Sequence, residues 1–79
     1  MRVLLVEDDP EVASVIAEGL SEWGMGVARE ATFAAGRSRA MTSSFDVIVL
    51  DVMLPGGDGF ELCRGLRQRG VATPVLMLT

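Results

Sequence analysis

Histidine is missing from the chain altogether. Its absence removes Cys/His zinc sites, Ser-His and Cys-His nucleophile pairs, and any imidazole proton shuttle. A single cysteine, Cys63, excludes an internal disulfide and suits a reducing compartment. Its expected role is that of a small buried hydrophobe. No apolar run reaches the roughly 18 residues that a membrane span requires. Met1-Arg2 leads directly into a strand with no room for a secretory signal, so a cytoplasmic protein without membrane contact is expected. Positive charge is scarce as well. The net charge is −4, and the one basic cluster, Arg64, Arg67 and Arg69, is expected to form the solvated face of a helix. Nucleic acid is therefore not an expected partner of this segment. What remains is a chain of 79 residues, 49% hydrophobic and 23% charged, which is too apolar for disorder. It is at most one small domain, burying only a little over ~60% of its unfolded surface.

The most apolar short stretch is Val47-Ile48-Val49-Leu50, bounded by Asp46 and Asp51 and followed by the turn-rich Val52-Met53-Leu54-Pro55-Gly56-Gly57-Asp58-Gly59. A continuous aliphatic run of this length predicts a strand, Phe45 to Leu50, buried on both faces and central in a parallel sheet. Arg2 to Val6 predicts a first strand. Asp9 then suits an N-cap, with Pro10 at the first helical position and Glu11 near the positive end of the dipole. Val12, Val15, Ile16, Gly19, Leu20 and Trp23 recur at spacings of three and four, predicting one buried helical stripe with Trp23 as a packing residue and Gly24 as the stop. Gly26 to Arg29 reads as a short edge strand. Thr32 can cap a second helix through about Met41, supported by Ala34, Ala35, Ala40 and Met41 and weakened by Gly36. Asp58 and Glu61 stand at capping-box spacing and open a third helix with Leu62, Cys63 and Leu66 inward. Thr73-Pro74 leads into a fourth strand, Val75 to Leu78, ending at Thr79. The resulting β-α-β-α-β-α-β pattern implies an α/β fold with a parallel sheet and crossover helices.

In such a sheet the strand ends at Glu7-Asp8-Asp9 and at Asp51 open on the same edge, where open α/β sheets place their ligands. Asp9 is the expected helix cap, so Glu7, Asp8 and Asp51 are the converging carboxylates, with Thr79 on the neighbouring strand end. Carboxylates this close repel unless a proton or cation is shared among them. An all-oxygen cluster without histidine or thiolate suits Mg²⁺. One carboxylate could then attack phosphorus and form an aspartyl phosphate, with the Thr79 hydroxyl as a donor to the product.

Taken together, Val3-Leu4-Leu5-Val6-Glu7-Asp8-Asp9, the run Asp46 to Gly59 and Pro74-Val75-Leu76-Met77-Leu78-Thr79 resemble the receiver domain of bacterial two-component response regulators. The resemblance runs over the whole chain, 1–79. It implies a flavodoxin-like doubly wound parallel sheet, here with the strand order 2-1-3-4 because the pattern stops after the fourth strand. It implies that Asp51 accepts a phosphoryl group from a sensor histidine kinase, without enzymatic turnover. Glu7 and Asp8 match the acidic pair that binds the metal, Met53 the position whose backbone carbonyl completes that site, and Thr79 the switch hydroxyl. The run Leu54 to Arg67 looks most like regulators carrying a winged-helix DNA-binding domain, so control of transcription is expected of the longer protein. The family's fifth strand, its phosphoryl-contacting lysine and its switch aromatic have no counterpart, and the fourth strand is left as an edge through which chains could associate.

Other readings fit less well. A dinucleotide site wants glycines after the first strand, where this chain has acids that would repel a pyrophosphate. A haloacid-dehalogenase-like phosphatase wants a second acid where Met53 stands. Gly56-Gly57-Asp58-Gly59-Phe60 superficially resembles a diguanylate cyclase signature, but it precedes a helix and lacks the acidic fourth residue. The alternative of another class is a truncated interaction fragment that is not phosphorylated.

Overall fold

The computed structural model describes residues 1–78. Its elements are β1 (Arg2–Val6), α1 (Pro10–Glu22), β2 (Gly26–Glu30), α2 (Phe33–Thr42), β3 (Val47–Asp51), β4 (Met53–Leu54), β5 (Gly57–Asp58), α3 (Gly59–Gln68) and β6 (Val75–Leu78). The main sheet runs β2-β1-β3-β6, all parallel, the order expected for the four long strands.

Alternation along β1 sorts its side chains onto two faces. Leu4 and Val6, with Ile48 and Leu50 of β3, pack against Ala40 of α2 and Leu62 and Leu66 of α3. Val3, Leu5 and Val49 pack against Ala13, Ile16, Ala17 and Leu20 of α1. The chain steps from β1 to β2 under α1, crosses back to β3 under α2, and goes on to β6 under α3. The direction of winding thus reverses between β1 and β3.

Each helix begins as its sequence predicts. Asp9 accepts hydrogen bonds from the backbone N–H of Glu11 and Val12 at 2.9 and 3.3 Å, and Thr32 accepts from Ala35. Asp58 accepts from Glu61 at 2.8 Å, which holds its carboxyl below the usual range. Gly36 leaves no room for a side chain between α2 and the sheet: a Cβ there would lie 2.8 Å from Cγ1 of Val6. The missing side chain lets α2 lie close on Val6.

Several expectations are corrected. The buried stripe of α1 is Ala13, Ile16, Ala17 and Leu20; Val12 is exposed, Val15 is 70% exposed and Trp23 83% exposed. Both stripes satisfy the same i, i+3, i+4, i+7 rule and share Ile16 and Leu20. The sheet takes the one whose alanines permit close approach. Trp23 sits at the C-cap, where its backbone N–H bonds Leu20 and Ser21 and its ring leaves the helix face. On α2, Ala34 and Met41 are exposed, while Gly36 and Ala40 face inward. The third strand starts at Val47 and includes Asp51. Asp46 instead binds the start of β1, its carboxylate accepting from the Arg2 N–H at 2.6 Å. The turn-rich segment after Asp51 contains a two-residue antiparallel ladder, β4 with β5, closed by the Pro55-Gly56 turn dipeptide. Arg67 is not merely solvated: its Nη1 donates to the carbonyls of Val71 and Thr73 at 2.9 and 2.7 Å and straps down the approach to β6. No helix among the described residues is long and apolar enough to cross a membrane.

Candidate functional site

The reversal of winding between β1 and β3 opens a crevice at their carboxyl ends, the position where sheets of this kind bind ligands. Register decides what stands there. Val6 pairs with Leu50, so the next residues of the two chains, Glu7 and Asp51, lie side by side. The Glu7 N–H donates to Glu30 on β2 at 3.0 Å, which extends the ladder one residue beyond β1 and fixes where that side chain leaves the backbone. Asp8 follows in the exposed turn, and Asp9 is committed to capping α1.

Oxygens of Glu7, Asp8 and Asp51 all lie within 4.8 Å of one another. Glu7 is only 9% exposed, and its Oε2 is buried without a hydrogen-bond partner. Burial and the neighbouring negative charges of Asp51 and Asp8 push its carboxyl from the ordinary 4.5 up to about 7. An acid so placed takes up a proton or shares a cation more readily than a free one. The donor set is all oxygen and mostly anionic, the kind that suits a small hard divalent ion.

The far side of the crevice is built by the segment after Asp51. The Asp51 Oδ1 accepts from the Met53 N–H at 3.3 Å, and the Gly59 N–H donates to Val52 at 2.6 Å. A Cβ on Gly59 would run into the Asp51 carbonyl oxygen, so glycine lets the start of α3 press against the end of β3. The result is an open concavity of about 690 Å³ with the acids as its floor and Met53, Phe60 and Leu78 in its walls; among the described residues no cationic side chain lines it.

Of the residues singled out from sequence, Glu7, Asp8 and Asp51 come together. Met53 stands at the rim with its side chain 79% exposed. Thr79 lies outside the described residues; the Leu78 before it pairs with Asp51. Phe60 escaped the sequence reading. It falls off the Leu62, Cys63, Leu66 stripe, and an aromatic off its helix's buried face, next to a strand-end acid, is the signal that was there to find.

A family model described as the response regulator receiver domain matches residues 3–79. The chain belongs to that family. The receiver domain is 48% identical to the transcriptional regulatory protein TcrA of Mycobacterium tuberculosis over 82 residues, covering all of this chain and 31% of that protein. It is 37% identical to CusR of Escherichia coli over 79 residues, covering all of the chain and 35% of the relative. It thus spans about a third of the length of the curated relatives it matches. The BeF3-activated receiver domain of Klebsiella pneumoniae RstA superposes with a TM-score of 0.93 at 38% identity, over 100% of this chain and 67% of that one. The receiver domain of the Francisella response regulator 1452 gives a TM-score of 0.93 at 32% identity, over 96% and 63%.

Proposed function

We propose that this receiver domain, residues 1–79, takes a phosphoryl group onto Asp51 from the phosphohistidine of a sensor kinase, in a two-component phosphorelay. The observation that carries the reading is the meeting of the Glu7, Asp8 and Asp51 carboxylates in one crevice with a Glu7 oxygen buried and unpartnered. In the transfer, an Asp51 carboxylate oxygen forms a bond to phosphorus while the P–N bond to the donor ring breaks and its electron pair stays on the ring nitrogen. Glu7 and Asp8, with the Met53 carbonyl, would hold Mg²⁺ beside Asp51. Bound there, the ion supplies positive charge against the repulsion between carboxylates and phosphoryl oxygens. Asp51 ends β3 and can present an oxygen to the crevice, whereas Glu7 is too enclosed to be the acceptor. Thr79 would donate its hydroxyl to the phosphoryl group. The chain is on this reading a stoichiometric acceptor rather than a turnover enzyme. The BeF3-activated form of the RstA receiver fits it, because beryllium fluoride imitates a tetrahedral phosphoryl group on a carboxylate. Control of transcription would follow in a longer protein, as the names of TcrA and CusR suggest, with DNA bound by another domain and this acidic segment in the cytoplasm.

Incubation with a small phosphodonor and Mg²⁺ tests the assignment. Wild type should acquire acid-stable, base-labile label slowly, because no cationic group among the described residues lines the crevice to offset the phosphoryl charge. Asp51→Asn should acquire none. Equal labelling of the two proteins would sink the assignment.

A further inference from the structure

Phe60 is 53% exposed although it lies in the first turn of α3, whose other large hydrophobic side chains, Leu62 and Leu66, are fully buried. Neither Phe60 nor Met53 packs against either core cluster. Their side chains instead form an apolar wall on the same concavity whose floor is the acid cluster. The wall is rigidly seated: Gly59 is clamped against the Asp51 carbonyl and bonded to Val52, and Asp58 caps Glu61. Exposed hydrophobics in a fixed, acid-floored cavity ask for an occupant that is both flat and cationic. A phosphoryl group alone needs only the floor.

We infer that Phe60, with Met53 beside it, is the seat for the ring of a phosphorylated imidazole and makes the site selective for ring-bearing donors. The inference rests on the phosphoacceptor reading of Asp51. The charge argument decides the occupant. A phosphoimidazole protonated on its second nitrogen carries a positive planar ring, which suits the face of Phe60 while its phosphoryl group reaches the floor. When Asp51 attacks, the P–N bond breaks, the electron pair remains on nitrogen, and the ring leaves as neutral imidazole with the proton it already held. Its attraction to the wall then weakens, which favours departure over the reverse transfer. Phe60 on this account touches the donor's leaving group and not the metal ligands.

The experiment compares two donors that both carry phosphorus on nitrogen, phosphoimidazole and the ringless phosphoramidate, by initial rates of labelling of the 79-residue chain in Mg²⁺, each variant being read against wild type with the same donor. In wild type the phosphoimidazole rate should exceed the phosphoramidate rate. Phe60→Ala should lower the phosphoimidazole rate about fivefold, the size of one exposed cation–aromatic contact, and leave the phosphoramidate rate within a factor of two. Phe60→Tyr, which keeps the ring, should retain the wild-type ratio. Equal slowing with both donors would mean that Phe60 only supports the fold, and no change with either would mean that the ring does not bind there; each overturns the inference. Labelling of wild type by neither donor would overturn the phosphoacceptor reading itself, and the inference with it.

Discussion

Glu7 joins the crevice to the folding equilibrium. Its carboxyl titrates near 7 in the folded chain and near 4.5 when free. Between those values the folded protein holds a proton that the unfolded chain has released, so stability falls as pH rises through that window. The contribution is full below 4.5 and gone above 7. We expect the metal-free chain to lose about 1 kcal/mol between pH 5 and pH 8, once solvent screening is allowed for. Glu7→Gln should flatten that slope in urea titrations, and a variant as pH-dependent as wild type would dismiss the role of Glu7. A cation competes with the same proton, so Mg²⁺ should raise the melting temperature more at pH 8 than at pH 5, and Asp8→Ala should blunt the rise. Gly59 matters for a steric reason. Gly59→Ala drives a methyl into the Asp51 carbonyl and should cost about 1–3 kcal/mol, with weaker Mg²⁺ binding by titration because the end of β3 must move. Unchanged melting and Mg²⁺ binding would show that the contact relaxes freely.

At the scale of elements, the caps carry stability that can be read one at a time. Asp58→Ala removes the acceptor for the Glu61 N–H and should cost about 1 kcal/mol, whereas Asp58→Asn should cost much less; equal losses in thermal melts would remove the cap's importance. The starts of all three helices were legible because capping is local chemistry, written in Asp9-Pro10, Thr32 and Asp58. The central strands were legible because four aliphatic residues in a row have few other places to go. The face that α1 buries was not. Its Val12, Val15 and Trp23 obey the same periodicity as Ala13 and Ala17, and only the sheet beneath decides between them. The Arg67 strap and the wall at Phe60 were hidden for a related reason, since each depends on a carbonyl or a strand end brought near by tertiary folding. The acid cluster itself could be read because parallel strands share an edge. That Glu7 would be enclosed and Asp8 left open could not, as it depends on one hydrogen bond to Glu30.

For the whole molecule the exposed edge is decisive. Among the described residues β6 has a neighbour on one side only; it holds four apolar residues without a charge or proline, and leaves Leu76 59% exposed. Val12 and Val15 stand uncovered on the helix that covers the same face of the sheet. At ~25 cal/mol per Å², leaving a few hundred Å² of such surface in water forgoes several kcal/mol, a large part of the ~5–15 kcal/mol that holds an ordinary domain together. The 79-residue chain should therefore associate, with a sedimentation coefficient that rises with concentration, and Leu76→Lys should return it to a monomer by charging the edge. A concentration-independent monomer with a sharp cooperative melt would show that the edge is harmless. The seam between β1 and β3 has a consequence in time as well as in space. Glu7 and Asp51 stand at the ends of two neighbouring strands far apart in sequence, so the cluster is lost whenever β1 and β3 part. A cation that grips it acts as a latch on the finished protein, slowing its opening while leaving the search for the fold unassisted.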